Sequence, residues 1–420
     1  MMGALSLALR SLQQRRVAAV LTVVTIALSV WLLLGVERLR QDARSSFAST
    51  VSGTDLIVGA RLGPVNLLLY SVFHLGDATN NVSWQSYKEI AALPEVRWTV
   101  PISLGDSHRG FRVMGTTAEF FQRYRYGSDH ELAFAQGHVF SDLYDAVIGA
   151  QVARQLNYHV GQSLVIAHGF GGMRQMLHAD KPFRVAGVLA PTGTPVDASV
   201  MVSLQAIEAI HVDWQSGMRL PGQAVSADQA RGMDLTPTSI TAFLVGLNSR
   251  LSSFAVQRAV NEYTQEPLQA ILPGVALSQL WGLVGAAEGA LRAISAMVVL
   301  VGLCGMLTAL LTTLNERRRE MAILRAVGAS ARTVFLLLVL EAGLLAVAGI
   351  VLGVALMYIT LFVLHGFLAA QLGLNLSLGF PGANEWLLIA AVIAAALFAG
   401  CLPAWIAYRR SLADGLQVHL

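Results

Sequence analysis

Lysine is almost missing from this sequence. Lys88 and Lys181 are the only two among 29 basic residues, and the rest are arginine. A phosphate-binding P-loop needs G-x-x-x-x-G-K-[ST]. Lys88 is followed by Glu89 and Lys181 by Pro182, and neither has the preceding glycines, so the chain cannot be its own P-loop ATPase. Charge of both signs is scarce, at 13% of residues against about 25% in an ordinary soluble domain. The net charge of +3 is too small and too scattered for a nucleic-acid partner. Two cysteines, Cys304 and Cys401, lie in long apolar runs, which excludes a disulfide framework and offers no thiolate environment. No serine sits in a G-x-S-x-G elbow. What is abundant is apolar: 55% hydrophobic residues and a mean hydropathy of +0.57. The composition is that of a membrane protein.

A bilayer core about 30 Å thick takes about 20 apolar residues in a helix. Four segments qualify: Val17 to Val36, Ala293 to Leu314, Ala342 to Phe367 and Trp386 to Tyr408. The first imitates a signal peptide, but its apolar stretch is longer than the usual length of about 7–15 residues and no A-x-A pattern follows. It reads as an uncleaved anchor. Arginine placement sets orientation. Arg10, Arg15 and Arg16 precede the first span, Arg317, Arg318, Arg319, Arg325 and Arg332 separate the second from the third, and Arg409 and Arg410 follow the fourth. The connection from Gly366 to Glu385 has neither Lys nor Arg. Arg38, Arg40 and Arg44 blur the pattern after span one, partly offset by Glu37 and Asp42. The reading is a multi-pass protein with both termini in the cytoplasm.

The segment from Glu37 to about Arg292 then lies outside, long enough for its own core and for two subdomains. Strand patterns occupy Asp55–Val58, Val96–Ser103, Gly110–Gly115, Ala146–Gly149, Ser163–Ala167, Phe183–Leu189, Val200–Ser203 and Ile240–Leu247. Helical patterns occupy Trp84–Ala92, Gln151–Leu156, Leu204–His211 and Leu251–Tyr263. The predicted fold class is an α-helical membrane protein with four transmembrane helices. A mixed α/β extracytoplasmic domain of two subdomains is inserted between helices 1 and 2.

The spans are expected to run beyond the membrane. No breaker interrupts Ala276 to Leu314, about 58 Å as one helix, and Glu37 to Thr50 lacks Pro and Gly. Together these predict a stalk. Gly282, Gly285 and Gly289 form a small-residue pattern that permits close helix packing there. The span cores carry no charge, which argues against ion-coupled transport. Glu341, at the cytoplasmic start of span three, is read as an interface charge able to reach headgroups or a cytoplasmic arginine. Eight of the ten histidines fall in the outer segment, none in H-x-H, H-x-x-x-H or H-E-x-x-H spacing. His130-Glu131, or His168 with His178, can contribute to a metal site, but such residues are more often on surfaces and loops. No metal site is assigned. Gly169-Phe-Gly-Gly172 reads as a hairpin turn.

The most informative segment is Glu316-Arg-Arg-Arg-Glu-Met-Ala-Ile-Leu-Arg-Ala-Val-Gly-Ala329. As a helix it presents Met321 and Leu324, with Ala322 and Val327, as apolar groups, while Arg317, Arg318, Glu320 and Arg325 cover the rest. Gly328 suits a left-handed C-cap and Ser330 an N-cap. Such a helix is made to dock on another protein, or serves as an arginine anchor under the positive-inside rule.

This segment closely resembles the E-R-R-R-E-I-A-x-L-R-A-x-G motif of the MacB/FtsX-type permease family. Similar too are the order of one span, a large outer domain and three spans, and the ending Leu402-Pro-Ala-Trp-Ile-Ala-Tyr-Arg-Arg410. Asp145-Ala-Val-Ile-Gly149 through Phe183-Arg-Val-Ala-Gly-Val-Leu189 looks like the family's extracytoplasmic core, and Leu5 to Arg16 like its amphipathic elbow. The resemblance implies the following layout: elbow 1–16, span 17–36, stalk and periplasmic core 37–292, span 293–314, coupling helix 315–332, span 333–367, outer loop 368–385, span 386–408 and cytoplasmic tail 409–420. It implies a type VII ABC transporter subunit of the inner membrane with its large domain in the periplasm, similar in lacking its own ATPase to the lipoprotein-releasing permeases.

By that similarity Glu316, Arg317, Arg318, Glu320, Met321, Leu324, Arg325 and Gly328 couple to a cytoplasmic ABC ATPase subunit, which binds ATP and Mg. The chain itself needs no cofactor. Other implied partners are a second permease copy as a homodimer, a periplasmic adaptor or lipoprotein, and membrane lipids. The alternative is a transducer like FtsX that activates a periplasmic cell-wall hydrolase, although FtsX usually has a much smaller outer domain. A membrane-anchored enzyme is disfavoured by the missing catalytic motifs.

Overall fold

A computed structural model of the chain describes residues 13, 15–50, 52–127, 129–169, 177–215, 218–219, 224–316, 323, 326–372 and 379–413. The chain divides into two units, Met1–Asp42 with Gly285–Gly366 and Leu376–Leu420, and Ala43–Val284 with Phe367–Asn375.

The helices in chain order are α1 (Arg16–Ser49), α2 (Pro64–Val72), α3 (Trp84–Ala91), α4 (Glu119–Arg123), α5 (Ala150–Leu156) and α6 (Leu204–His211). Then come α7 (Ala227–Arg231), α8 (Ser253–Asn261), α9 (Pro273–Glu316), α10 (Ala331–Leu372) and α11 (Ala383–Ala413). Four of them, α1, α9, α10 and α11, are long and apolar enough to cross a membrane. Lipid offers the backbone no hydrogen bonds, so an uninterrupted helix is the state these sequences can afford there. Their hydroxyls are satisfied locally: Thr22 donates to the Ala18 carbonyl (2.8 Å), Ser295 to Leu291 (2.9 Å) and Thr308 to Cys304 (2.9 Å).

Small residues set where these helices touch. A Cβ on Gly302 would stand 2.7 Å from the Ser29 hydroxyl, and Ser29 also lies 3.1 Å from the Val298 carbonyl, joining α1 to α9. Gly349 and Gly353, a G-x-x-x-G pair on α10, meet Ile26 and the Ala27 carbonyl of α1 at 2.6 and 2.7 Å from where a Cβ would be. Gly400 of α11 receives Ala342 of α10 in the same way, at 2.5 Å. Trp31 donates from Nε1 to Thr360 Oγ1 (3.1 Å), a second tie between α1 and α10.

The other unit is built on one 11-stranded sheet. Its strands are β1 (Leu56–Ala60), β2 (Val96–His108), β3 (Phe111–Thr116), β4 (Phe134–Gly137), β5 (Asp145–Ile148) and β6 (Ser163–Leu164). They continue with β7 (Ala167–His168), β8 (Phe183–Leu189), β9 (Ser199–Ser203), β10 (Ala242–Leu247) and β11 (Leu268–Ile271). The order is β11-β1-β10-β2-β3-β9-β5-β8-β4, with β7 added to β2 and β6 to β8. Only β3/β9 and β5/β8 pair in parallel among these.

Strand alternation sorts the core. Ile57, Leu244, Met114, Met201 and Val147 point to one face and join a continuous apolar cluster. Their neighbours point to the other face, which is split: Leu56, Val58, Phe243 and Val245 pack together at one end, Val113, Val200, Val202 and Ile148 at the other. The long β2 is common to both halves, pairing with β10 through its first part and with β3 through its second. This is the α/β domain expected between the first and second spans. Serine caps place its helices. Ser203 accepts from the Ala206 N–H (3.0 Å) to start α6, and Ser226 makes a capping box with Gln229 at α7.

The two motifs of the outer resemblance turn out to be adjacent strands, with Arg184 of β8 opposite Asp145 of β5. Asp145 is 1% exposed. It accepts from the Asp142 N–H (3.0 Å) and the Ser141 N–H (3.2 Å), and from Arg184 (2.9 Å). Gly149 ends its motif because the Val196 carbonyl oxygen would lie 2.2 Å from any Cβ there.

Candidate functional site

The connector comes first. Among its residues, Arg317, Arg318, Glu320, Met321, Leu324 and Arg325 lie outside the described residues, as does most of the expected N-terminal elbow. Glu316 is the last residue of α9. Gly328 has φ +101°, the left-handed backbone that favours glycine. Ser330 Oγ accepts from the Thr333 N–H at 3.2 Å and so opens α10. Glu341 lies on α10 and is buried, at 3% exposure.

Helices α1 and α9, where the stalk is expected, are each unbroken. Helix α1 has 34 residues and α9 has 44, about 51 and 66 Å at 1.5 Å per residue. Each feeds the sheet almost directly: α9 begins one residue after β11, and β1 follows α1. Strands β1 and β11 are hydrogen-bonded neighbours, with Ile57 opposite Ile271. Charge and aromatic contacts join the two helices. Arg40 pairs with Glu37 and lies 3.8 Å from Glu288, and Arg292 lies 4.0 Å from Glu37. Further along, Trp281 meets Phe47 edge-on (5.6 Å between centroids) and carries the Arg44 guanidinium 5.2 Å above its ring. A Cβ at Gly282, Gly285 or Gly289 meets nothing within 4 Å among the described residues. Within one chain these glycines therefore make no close helix contact. The glycines that do are Gly302, Gly349, Gly353 and Gly400, and the Gly349/Gly353 spacing is legible in the sequence.

Arg38, one of the arginines that follow span one, is bound inside the protein. Its guanidinium lies 3.1 Å from Glu385 at the start of α11, 2.9 Å from the Gly379 carbonyl and 3.6 Å from Asp42. Glu385 in turn accepts from the Gly382 N–H (2.8 Å). The residue ties α1 to the connection between α10 and α11.

The histidines give the one compact cluster of metal-type ligands found among the described residues. His168 and His178, which the sequence leaves between a metal site and the commoner surface or loop histidines, come together with His211 and Asp106. Asp106 lies near the end of β2, His168 on β7 paired beside it (His168 opposite Asp106), and His211 ends α6. His178 is positioned by its own backbone, donating to the Ile166 carbonyl at 2.9 Å. Nδ1 of His168 stands 2.9 Å from Nε2 of His211, and Asp106 Oδ1 is 3.4 and 3.5 Å from these two nitrogens. One ligand atom from each of the four lies within 4.8 Å of all the others. Burial would raise the Asp106 carboxyl, but the facing His168 and His211 outweigh it and hold it down to about 2. For His211 burial is likewise outweighed by Asp106, which shifts it upward. His178, pressed by burial and by His211, is lowered to about 4. His130 and Glu131 are elsewhere, exposed on a two-residue ribbon strand where Glu131 pairs with Arg125. The proposed turn at Gly169–Gly172 falls outside the described residues except for Gly169, which has φ +69°.

Two family models match. The one described as MacB-like periplasmic core domain covers residues 19–263, and the one described as FtsX-like permease C-terminal covers 292–412. Among solved structures, the periplasmic region of MacB from Actinobacillus actinomycetemcomitans is similar at 8% identity, covering 55% of this chain and 94% of that one, with a TM-score of 0.33. The extracellular domain of the noncanonic ABC-type transporter YknZ from Gram-positive bacteria is similar at 13% identity, covering 46% and 89%, with a TM-score of 0.29. At these scores neither likeness adds to the two matched segments. The curated proteins give no match.

Proposed function

The chain belongs to the MacB/FtsX-type permease family, and from that premise we propose that it is the membrane subunit of a type VII ABC transporter. A separate ATPase subunit hydrolyses ATP in the cytoplasm, and this chain carries the resulting motion to the far side of the inner membrane. There it exports, extracts or releases a substrate. Both termini and the segment from Glu316 to Gly328 face the ATPase, in keeping with the arginine distribution. The sheet unit faces the periplasm, where an adaptor or lipoprotein meets it. Two copies of the chain act together, and Gly282, Gly285 and Gly289, uncovered in one chain, are the places for the second.

The observation that carries the proposal is the connectivity of α1 and α9. Both are single helices whose ends adjoin neighbouring strands of the sheet, β1 and β11, a connectivity that supports a mechanical role for the chain. A substrate path through the membrane is not needed for such a device, and the four apolar segments read as span cores, with Glu341 at the border of the third, carry no charge for one.

The test is purification of the full chain from its native membrane under mild detergent, followed by assay of nucleotide hydrolysis. Co-purification of an ABC ATPase whose activity depends on this chain, together with an adaptor or lipoprotein, is the expected result. A cell-wall hydrolase in place of the latter would favour the FtsX-like transducer. ATP hydrolysis by this chain alone would contradict the proposal.

A further inference from the structure

We propose that Asp106, His168, His178 and His211 form a binding site for one divalent transition-metal ion, with zinc as the ion best matched. The donor set is three imidazole nitrogens and one carboxylate oxygen, the mixture that zinc accepts in four-coordinate sites. In a tetrahedral zinc centre with bonds of about 2.0–2.1 Å, ligand atoms stand about 3.3–3.4 Å apart. Three such separations here are 2.9, 3.4 and 3.5 Å. Closing on an ion needs adjustments of a few tenths of an ångström around that triangle, and a swing of the His178 ring.

The unliganded arrangement is poorly satisfied. His178 is 0% exposed, and neither of its ring nitrogens has a hydrogen-bond partner among the described residues. A neutral imidazole always has one N–H and one lone pair, so both are buried without the partners that would offset their loss of water. Asp106 Oδ1 is also buried without a hydrogen bond of ordinary geometry. His211 is oriented from behind: its Nδ1 is 2.8 Å from the Ile207 carbonyl, which fixes the proton there and turns the Nε2 lone pair into the cluster. That lone pair faces His168 Nδ1 at 2.9 Å, so without a metal a proton must sit between them. A metal ion replaces the proton and uses both lone pairs.

The surroundings suit a closed binding site. The Trp214 ring, tilted by 49° with its centroid 4.4 Å from that of His178, forms an apolar wall. The one nearby lysine, Lys181, is fully buried and held by Asp213 at 2.6 Å, so its charge is matched within its own pair. His168 remains 34% exposed and provides an entry edge. With four protein ligands and no open position, the ion would be held rather than used for hydrolysis. It would bind together β2, β7, the segment at His178 and the end of α6, and so make the outer unit responsive to zinc. This assignment does not rest on the ATP-driven reading, because it concerns ion binding by the chain alone.

The test uses the full-length chain purified in detergent with a tag free of histidine, stripped with chelator, then titrated with zinc sulfate without nucleotide or ATPase. Metal content after gel filtration is expected to be one equivalent per chain, lost in Asp106→Ala and His211→Ala. Cobalt substitution should give the intense visible band of a tetrahedral centre, with quenching of fluorescence that is absent in Trp214→Phe. If the buried variants fail to fold, His168→Ala decides, since its side chain is partly exposed. It should weaken zinc binding at least about tenfold while far-UV circular dichroism stays unchanged. No bound zinc in the unmodified chain, or zinc retained unchanged in folded His168→Ala, would overturn the proposal.

Discussion

Arg38 of α1 and Glu385 of α11 form a buried ion pair, 3.1 Å from Nη1 to Oε2, with side-chain exposures of 5% and 1%. The pair carries a clear expectation. Removing one partner strands a buried charge and costs about 3–5 kcal/mol, whereas replacing both by apolar groups of similar volume is near neutral. Arg38→Met and Glu385→Leu should each lower the thermal midpoint of the full chain in detergent, and the double variant should recover most of the loss. Additive losses in the double variant would show that the two residues do not act as a pair.

Packing of α1 on α10 depends on Gly353. A methyl group there would stand 2.7 Å from the Ala27 carbonyl oxygen and 2.9 Å from Val30, and a backbone atom cannot step aside. Gly353→Ala is expected to destabilise by about 1–3 kcal/mol. Gly305→Ala, on α9 with open space around it, should change stability by less than about 0.5 kcal/mol. Equal thermal midpoints for the two variants would refute the close crossing.

His74 predicts a weakness in mild acid. Burial, with help from Arg112, lowers it to about 4, and its Nδ1 lies 2.9 Å from the Ser199 hydroxyl, which itself donates to the Pro195 carbonyl. The folded state thus prefers the neutral ring. Below the unfolded value of about 6.5 the unfolded chain takes up a proton that the folded chain refuses. Stability is therefore lost as pH falls from about 6.5 towards 4 and levels off below that, amounting to on the order of 1–2 kcal/mol between pH 7 and 5. Denaturant midpoints measured across this range should fall, and His74→Asn should flatten that part of the profile. A profile identical in both proteins would contradict the assignment.

These relationships differ in how visible they are before folding. Some elements are legible: the strand Phe183–Leu189 and the helix Leu204–His211 begin and end where the sequence patterns place them. The helical pattern Leu251–Tyr263 is shorter in fact, because Arg250–Ser252 forms a 3-10 turn before α8 begins at Ser253. Helix α2 escapes because Leu67, Leu68, Tyr70 and Val72 are all buried, which erases the polar face that marks an amphipathic helix. Strand β11 has only four residues at a sheet edge, too few for alternation to register.

The histidine cluster is invisible for another reason. Asp106 and His211 are 105 positions apart in the chain and meet only because β7 pairs with the end of β2 while α6 ends beside them. No local spacing encodes that meeting. Arg184 and Asp145 present the opposite case: each lies in a recognisable motif, and the parallel pairing of the two motifs explains why arginine and aspartate occupy those positions.

The proposed route of cytoplasmic ATP hydrolysis into this chain is the segment from Glu316 to Gly328. Its most direct test is ATP turnover and transport by the chain reconstituted in lipid with its co-purified ATPase, comparing the unmodified protein with Glu320→Arg and Arg325→Glu. Both variants should insert normally and lose stimulated hydrolysis and substrate movement together. Normal hydrolysis and transport in both would contradict the account.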